Sequence, residues 1–316
     1  MKVAWFDHQD WEETIEKYDM FEESLNEENC EGLDFDVVSV FASSEVTAKV
    51  LEEIRPEAVV TRSTGFDHID LEKADEMGIE VYNVPHYGSN TVAEHAFGLL
   101  LSLSKKIPQA EKKTHKEFSH QGLEGFELKD KKFGVVGTGE IGQKAIHMAK
   151  GFDMDVIAYD PYEKEGLEEE LGFMYVTFED LIDQADIISL HCPLTDENHH
   201  LFSEKEFDRM EDAVIINTAR GGLIDSKALL KALKEDSVSY AGLDVLEMEK
   251  EMQKIEDLSE KKEFCSEEFQ ANCKLIERED VIVTPHSAFN TREAKERIFE
   301  TSIKNIEERP EENRVT

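Results

Sequence analysis

The sequence predicts an α/β protein built on parallel sheets, and three observations carry that reading. Short apolar runs alternate with helical patterns along most of the chain, which is how a parallel sheet with crossover helices looks in one dimension. Between Lys132 and Asp160 one such strand runs into closely spaced glycines, then a helix pattern, then a second strand. At 316 residues the chain is long enough for two domains with separate cores.

Lys2 to Phe6 starts as a strand, and the acidic stretch from Trp11 to about Leu25 reads as helical. Phe35 to Val40 is the next strand, Val46 to Ile54 an amphipathic helix, Ala58 to Thr61 a short strand, and Leu71 to Met77 a helix closed by Gly78. Arg62-Ser63-Thr64-Gly65-Phe66-Asp67 follows a strand end, where a parallel sheet presents its crevice. A glycine turn there either points successive amides at a small anion such as a carboxylate or is a plain connecting loop.

Val81 to Val84 leads through Pro85-His86-Tyr87-Gly88-Ser89-Asn90 into a long helix from Thr91 to about Lys106. Its stripe of Val92, Ala96, Leu99, Leu100 and Leu103 predicts burial along most of its length, and a helix placed between two α/β units suits an interdomain and subunit contact. His95 within it reads as a core histidine. Residues 108–131 read as charged and irregular.

The second unit opens on Phe133 to Val136, and Gly137-Thr138-Gly139-Glu140-Ile141-Gly142 follows at once with G-x-G-x-x-G spacing. Ala145, Met148 and Ala149 keep one helix face small and apolar, and Val156 to Ala158 forms a strand ending at Asp160. The first glycine allows the tight turn, the second lets backbone approach a pyrophosphate closely, and the third lets helix pack on strand. The phosphates would sit at the helix N-terminus, where unpaired amides and the dipole favour an anion. Asp160 is placed to accept from both hydroxyls of an adenosine ribose and to repel a 2′-phosphate, which argues for NAD over NADP. Glu140 stands beside that anion, so screening of it by salt is expected to strengthen cofactor binding.

Alternation then continues through Tyr175 and Val176, the helix Phe178 to Gln184 and the strand Asp186 to Leu190. The loop His191-Cys192-Pro193-Leu194-Thr195 lines an adenine or ribose site or is simply structural. Ala213 to Asn217 is a strand whose exit, Thr218-Ala219-Arg220-Gly221-Gly222, offers an arginine flanked by glycines, suited to a bidentate grip on a carboxylate. Ala241 to Val245 includes Asp244, with Glu249 five residues later. From Lys250 to Asp280 a charged excursion carries Met252, Ile255 and Leu258 at helical spacing, which predicts short surface helices. Val281 to Thr284 delivers Pro285-His286-Ser287-Ala288-Phe289-Asn290, a last helix spans Thr291 to about Ile306, and the tail from Arg309 to Thr316 is expected to be mobile.

Composition excludes several partners. With 35 basic and 72 acidic residues the formal net charge is −37, which repels nucleic acid and anionic membranes. The acids are spread along the chain, which fits either a salt-rich cytoplasm, where screening removes self-repulsion, or an ordinary acidic cytosolic protein. Cysteines 30, 192, 265 and 273 form neither C-x-x-C nor a zinc-spaced cluster, so reduced thiols and no metal are expected. No apolar run is long enough to span a bilayer and no leader pattern opens the chain, so a soluble cytoplasmic protein is expected.

Arg220, Glu249 and His286 together amount to an acid/base site. A histidine can donate the proton that turns a carbonyl oxygen into a hydroxyl, a carboxylate raises its pKa and holds its tautomer, and an arginine neutralises a substrate carboxylate. With "RSTGFDHID", "NVPHYGSNTVAEHAFGLLL", "GVVGTGEIG", "HCPLT", "INTARGGLID", "AGLDVLEME" and "TPHSAF" in this order, the chain resembles the D-isomer-specific 2-hydroxyacid dehydrogenases over essentially its whole length.

The resemblance implies two Rossmann-like domains with parallel sheets, the substrate domain discontinuous in sequence: residues 1–100 completed by 288–316, around an NAD-binding domain at 101–287. It implies NAD-dependent reduction of a small 2-oxo acid with His286 as proton donor, Glu249 orienting it and Arg220 binding substrate. Ser63, Thr64 and Gly65 would hold the substrate carboxylate, with Tyr87 and Phe289 lining a compact pocket like that of the D-lactate dehydrogenase branch, suited to pyruvate. Gly137, Gly139, Glu140, Ile141, Gly142, Asp160, His191, Cys192, Pro193, Asn198, Thr218, Ala219 and Asp244 would line the cofactor, Asp244 at the nicotinamide carboxamide. A homodimer is implied as well.

Overall fold

The computed structural model describes residues 1–9, 12–253 and 266–316, which divide into two compact units. Met1–Tyr87 and Asn290–Thr316 make one, Gly88–Phe289 the other.

The first unit begins β1 (Val3–Trp5), β2 (Asp19–Met20), β3 (Val37–Val40), α1 (Ala48–Ile54), β4 (Ala58–Thr61), α2 (Leu71–Met77) and β5 (Glu80–Tyr82). Its sheet has the order β2-β1-β3-β4-β5 with parallel pairings throughout. Thr47 and Asp70 cap α1 and α2 by accepting from the Val50 and Lys73 N–H groups, and Gly78 ends α2 at φ +68°.

The second unit contains α3 (Ser89–Ser104), α4 (Ile107–Thr114), β6 (Lys132–Val136), α5 (Glu140–Gly151), β7 (Asp155–Tyr159), α6 (Leu167–Leu171), β8 (Met174–Tyr175), α7 (Phe178–Gln184) and β9 (Ile187–Leu190). It continues through α8 (Glu204–Phe207), β10 (Ala213–Asn217), α9 (Ser226–Ala232), β11 (Val238–Leu243), α10 (Glu249–Gln253), α11 (Glu267–Ile276) and β12 (Val281–Val283). The parallel sheet runs β12-β11-β10-β9-β6-β7-β8. From β6 the chain winds outward to β8, then crosses to β9 on the other side of β6. The crevice at the carboxyl ends of β6 and β9 is therefore the topological switch point, where such sheets bind ligands. Neighbouring strand residues feed opposite cores: Val136, Ile188 and Ile215 face one, Val135, Ile187 and Ile216 the other. A sheet covered on both faces needs continuous apolar strands, which these are.

The chain then returns to the first unit as α12 (Arg292–Glu308), capped by Thr291. Ile306 joins Trp5, Val60 and Tyr82 in that unit's core.

The structure corrects several expectations. The stretch from Glu12 onward forms turns and β2 rather than a helix, and Trp11 lies outside the described residues. Glu12 is drawn inward: it accepts from Trp5 Nε1 at 2.9 Å and pairs with Arg62 at 2.9 Å, both charged side chains fully buried. Tyr18 stacks on Trp5. The unit boundaries fall at Tyr87/Gly88 and Phe289/Asn290 rather than after residues 100 and 287, because α3 uses its apolar stripe inside the second unit. Residues 108–131 include most of α4.

The Arg309–Thr316 tail is pinned, not loose. Val315 N–H donates to Val81 O at 2.7 Å, Arg314 bridges to Tyr82, and Arg309 pairs with Glu57 at 2.8 Å. In the charged excursion, Met252 lies in α10 and α11 buries Phe269, Ala271, Cys273 and Leu275. Ile255, Leu258 and Cys265 lie outside the described residues.

Candidate active site

The glycine loop between β6 and α5 has the form a dinucleotide requires. Gly137 sits at φ +97°, and a Cβ there would lie 2.8 Å from His191 O. At Gly142 a Cβ would lie 2.0 Å from Gly137 O, so only glycine lets α5 start this close to β6. Gly139, the α5 N-cap, faces open space that a Cβ would fill. That is a cradle for a pyrophosphate at a helix N-terminus.

Two buried polar atoms at neighbouring strand ends, His191 Nδ1 and Thr218 Oγ1, have no hydrogen-bond partner among the described residues. Buried polar atoms are rarely left so, and here they fit a polar ligand along the crevice. Burial pushes the His191 imidazole down to about 4 and the Cys192 thiol up to about 11, so both are neutral near pH 7.

Asp160 follows directly after β7 and ties the loop together. Its Oδ2 accepts from Thr138 N–H at 2.7 Å and Thr138 Oγ1 at 3.0 Å, and Oδ1 accepts from Tyr162 N–H at 2.9 Å. Asn198 shapes the next loop: it donates to Pro193 O at 2.8 Å and accepts from Thr195 N–H at 2.7 Å. Ile141 is half-buried and packs on the core beneath α5, while Ala219 N–H is held by Asn217 Oδ1 at 3.0 Å. Glu140 is exposed, and its Oε2 accepts from Ser89 Oγ at 2.7 Å.

At the other end of the crevice His286 Nδ1 lies 2.8 Å from Glu249 Oε2, joining residues 37 apart in sequence. Glu249 Oε1 is fixed by Leu246 N–H at 2.9 Å. With the carboxylate as acceptor, Nδ1 carries hydrogen and Nε2 is the ring atom left to exchange a proton. The His286 imidazole is 40% exposed. Burial alone would lower its pKa, but the Glu249 hydrogen bond and the Glu249 and Asp244 charges outweigh burial and an opposing Arg220, so it rises above the ordinary value. Arg220 thus belongs to the same electrostatic field. It follows β10 with extended backbone, its carbonyl held by Asn217 Nδ2 at 2.9 Å.

Asp244 has a role the sequence did not disclose. Its side chain is fully buried and accepts from Thr284 Oγ1 at 2.5 Å, Ser287 N–H at 2.9 Å and Ala288 N–H at 2.8 Å. It therefore braces the turn carrying His286, which sits at φ +51°. Burial would raise the Asp244 pKa, but these bonds and one from His95 hold it below the ordinary range. His95, expected to be a plain core histidine, is part of the network, with Nε2 2.9 Å from Thr284 Oγ1.

Ser63, Thr64, Gly65 and Tyr87 belong to the first unit, and Phe289 closes the second. Thr61 Oγ1 and Ser63 Oγ are 2.7 Å apart, Ser63 Oγ donates to Gly65 O at 2.6 Å, and Asn83 Nδ2 holds Thr64 O at 2.8 Å. The peptide N–H groups of Thr64 and Gly65 donate to nothing among the described residues, the condition for an anion-binding nest. Tyr87 O accepts twice from Arg297 of α12, at 2.9 and 2.7 Å.

Residues 97–288 match the family model for the D-isomer specific 2-hydroxyacid dehydrogenase NAD binding domain. The chain is 38% identical to the D-lactate dehydrogenase of Escherichia coli over 279 residues, 86% of this chain and 82% of that one. It is also 38% identical to an aromatic 2-oxoacid reductase of Clostridium sporogenes over 280 residues, 87% and 82% of the two chains. A solved structure of Aquifex aeolicus D-lactate dehydrogenase with NAD and lactic acid superposes with a TM-score of 0.84 at 30% identity, covering 96% of this chain and 94% of that one.

Proposed function

The chain belongs to the D-isomer specific 2-hydroxyacid dehydrogenase family and is an NAD-dependent oxidoreductase of that class, and we propose that it reduces a small 2-oxo acid, pyruvate foremost, to the D-2-hydroxy acid. The observation that carries this reading is the His286–Glu249 pair at 2.8 Å, with the His286 pKa raised and Arg220 in the same field. NAD, when bound, supplies and accepts the hydride. Gly137, Gly139 and Gly142 would hold its pyrophosphate on the α5 amides, and Asp160 would face its ribose.

Arg220 binds the substrate carboxylate and draws electron density from the adjacent carbonyl. His286 Nε2 gives its proton to the carbonyl oxygen, and Glu249 keeps the ring oriented and favours the charged form before transfer. The amides of Thr64 and Gly65, unengaged among the described residues, support a carboxylate-binding role for that loop. Tyr87 and Phe289, matching the D-lactate dehydrogenase branch, support a compact acid. The similarity to an aromatic 2-oxoacid reductase favours a larger substrate as the second reading, with glyoxylate and hydroxypyruvate also in range. A catalytically silent NADH-sensing protein would have no use for a histidine held ready to protonate.

The net charge of −37 supports work in a salt-rich cytoplasm, and exposed Ile107 and Phe118 support a homodimer. No helix among the described residues is long and apolar enough to cross a membrane. A panel of 2-oxo acids with NADH and NADPH at low and high KCl tests the reading. Highest kcat/KM for pyruvate with NADH is expected, and a preference for phenylpyruvate or glyoxylate would move the assignment to that acid.

A further inference from the structure

The turn bearing His286 hangs on one carboxylate, and that carboxylate is reached from a helix far away in sequence. α3 lies along β11 because Gly242 has no side chain: a Cβ there would lie 3.0 Å from Leu99 Cβ and 3.3 Å from Leu103 Cδ1. One helical turn before Leu99 on the same stripe is His95, and Asp244 follows directly after β11, two residues beyond Gly242. These positions set His95 over Asp244, with Nε2 3.3 Å from Oδ1 and 2.9 Å from Thr284 Oγ1. Since the ionised carboxylate only accepts, the Thr284 hydroxyl donates to it. The hydroxyl oxygen then accepts from His95, which requires hydrogen on Nε2.

We propose that His95 is a positioning residue of the acid/base site, its Nε2–H fixing Thr284 and the Asp244 carboxylate and through them the Pro285–Ala288 turn that carries His286. Asp244 takes both Ser287 and Ala288 N–H groups, while His286 N–H donates to Asp244 O at 2.8 Å and Thr284 O at 3.0 Å. Each of these bonds holding His286 at φ +51° thus passes through the two residues His95 touches. The charged groups acting on His286 are Glu249 and Asp244, which favour its protonated form, and Arg220, which opposes it. Loosening Asp244 weakens one of the two favourable charges, so His286 should lose its proton at lower pH.

The inference rests on His286 being the acid, and its test reads the ring directly. In the full chain saturated with NAD⁺, the His286 imidazole is titrated by nitrogen NMR in wild type, His95→Leu and His95→Gln. Glutamine can place its amide N–H where Nε2–H stood; leucine cannot. His95→Leu should titrate at lower pH and lose roughly tenfold to a hundredfold in kcat through misplacement of the acid, with KM for the oxo acid little changed. His95→Gln should restore most of both. Thr284→Val, which removes only the bridging hydroxyl, should move the titration the same way and remains informative if His95→Leu does not fold. An unmoved His286 titration in Thr284→Val or in folded His95→Leu, or a glutamine variant no better than leucine, overturns the proposal. Loss of the acid assignment would show separately, as full activity in His286→Ala.

Discussion

Glu247 and Glu249 stand two residues apart, and each is paired with a histidine. Glu247 Oε1 lies 2.6 Å from His200 Nε2, Glu249 Oε2 2.8 Å from His286 Nδ1. The first pair is boxed in: Glu247 is 11% exposed, its other oxygen accepts from Ser226 N–H at 3.1 Å, and His200 N–H donates to Gly222 O at 2.8 Å. It fastens the back of the Arg220 loop. With His199 it brings three metal-binding side chains within 4.8 Å of one another, but the carboxylate already has a partner on each oxygen. The second pair opens on the crevice, with Arg220 and Asp244 in its field. Identical residue types thus make a brace in one place and the proposed proton donor in the other, and the surroundings decide which.

Removing His286 should break the contrast most sharply. His286→Ala is expected to lose roughly a thousandfold in kcat for 2-oxo acid reduction, the scale of a lost general acid, with the unfolding midpoint little changed. Steady-state NADH oxidation and a thermal melt on one preparation check both halves.

Glu249→Gln should cost less, roughly tenfold to a hundredfold in kcat, because the ring keeps a hydrogen-bond partner but loses the charge. The sign follows from the raised His286 pKa. Reduction needs His286 protonated, so activity is full below that pKa and falls as pH rises through it. Removing the charge that raises it moves the basic limb of the kcat profile to lower pH. An unmoved limb would deny Glu249 its electrostatic role.

Glu247→Gln should do the reverse. Losing the charged partner of His200 in a mostly buried setting costs roughly 1–3 kcal/mol, read as a lower unfolding midpoint, while the kcat profile keeps its limb. If the limb moved and the melt did not, the roles assigned to the two pairs would be exchanged.

The smallest effect is expected at Glu140, a solvent-exposed carboxylate that accepts from Ser89 Oγ. Raising KCl should lower the apparent NADH constant of wild type a few-fold by screening, and Glu140→Gln should flatten that response. Equal salt dependence in the two proteins would remove Glu140 from the cofactor's electrostatics.

How much could be read beforehand follows from the range of each interaction. Leu71 to Met77 with its closing Gly78, the helix Phe178 to Gln184 and the strand Ala213 to Asn217 are where the local patterns put them, since caps, glycines and periodicity act over a few residues. The Gly137–Gly142 loop was legible for the same reason. Not legible are the acidic, polar Glu12 segment and the polar, charge-balanced Arg309–Thr316 tail, both held by partners tens to hundreds of residues away, Arg62 for one and Val81 for the other.

The sequence by itself determined the family, the parallel α/β plan and the identity of the candidate acid, because motif order and strand-end positions are properties of the chain. Only the tertiary structure decided which carboxylate serves which histidine, that Asp244 is buried beneath the His286 turn, and that His95 reaches it. The last of these depends on how closely α3 approaches β11 over Gly242, and a distance between elements is set by packing, not by spacing along the chain.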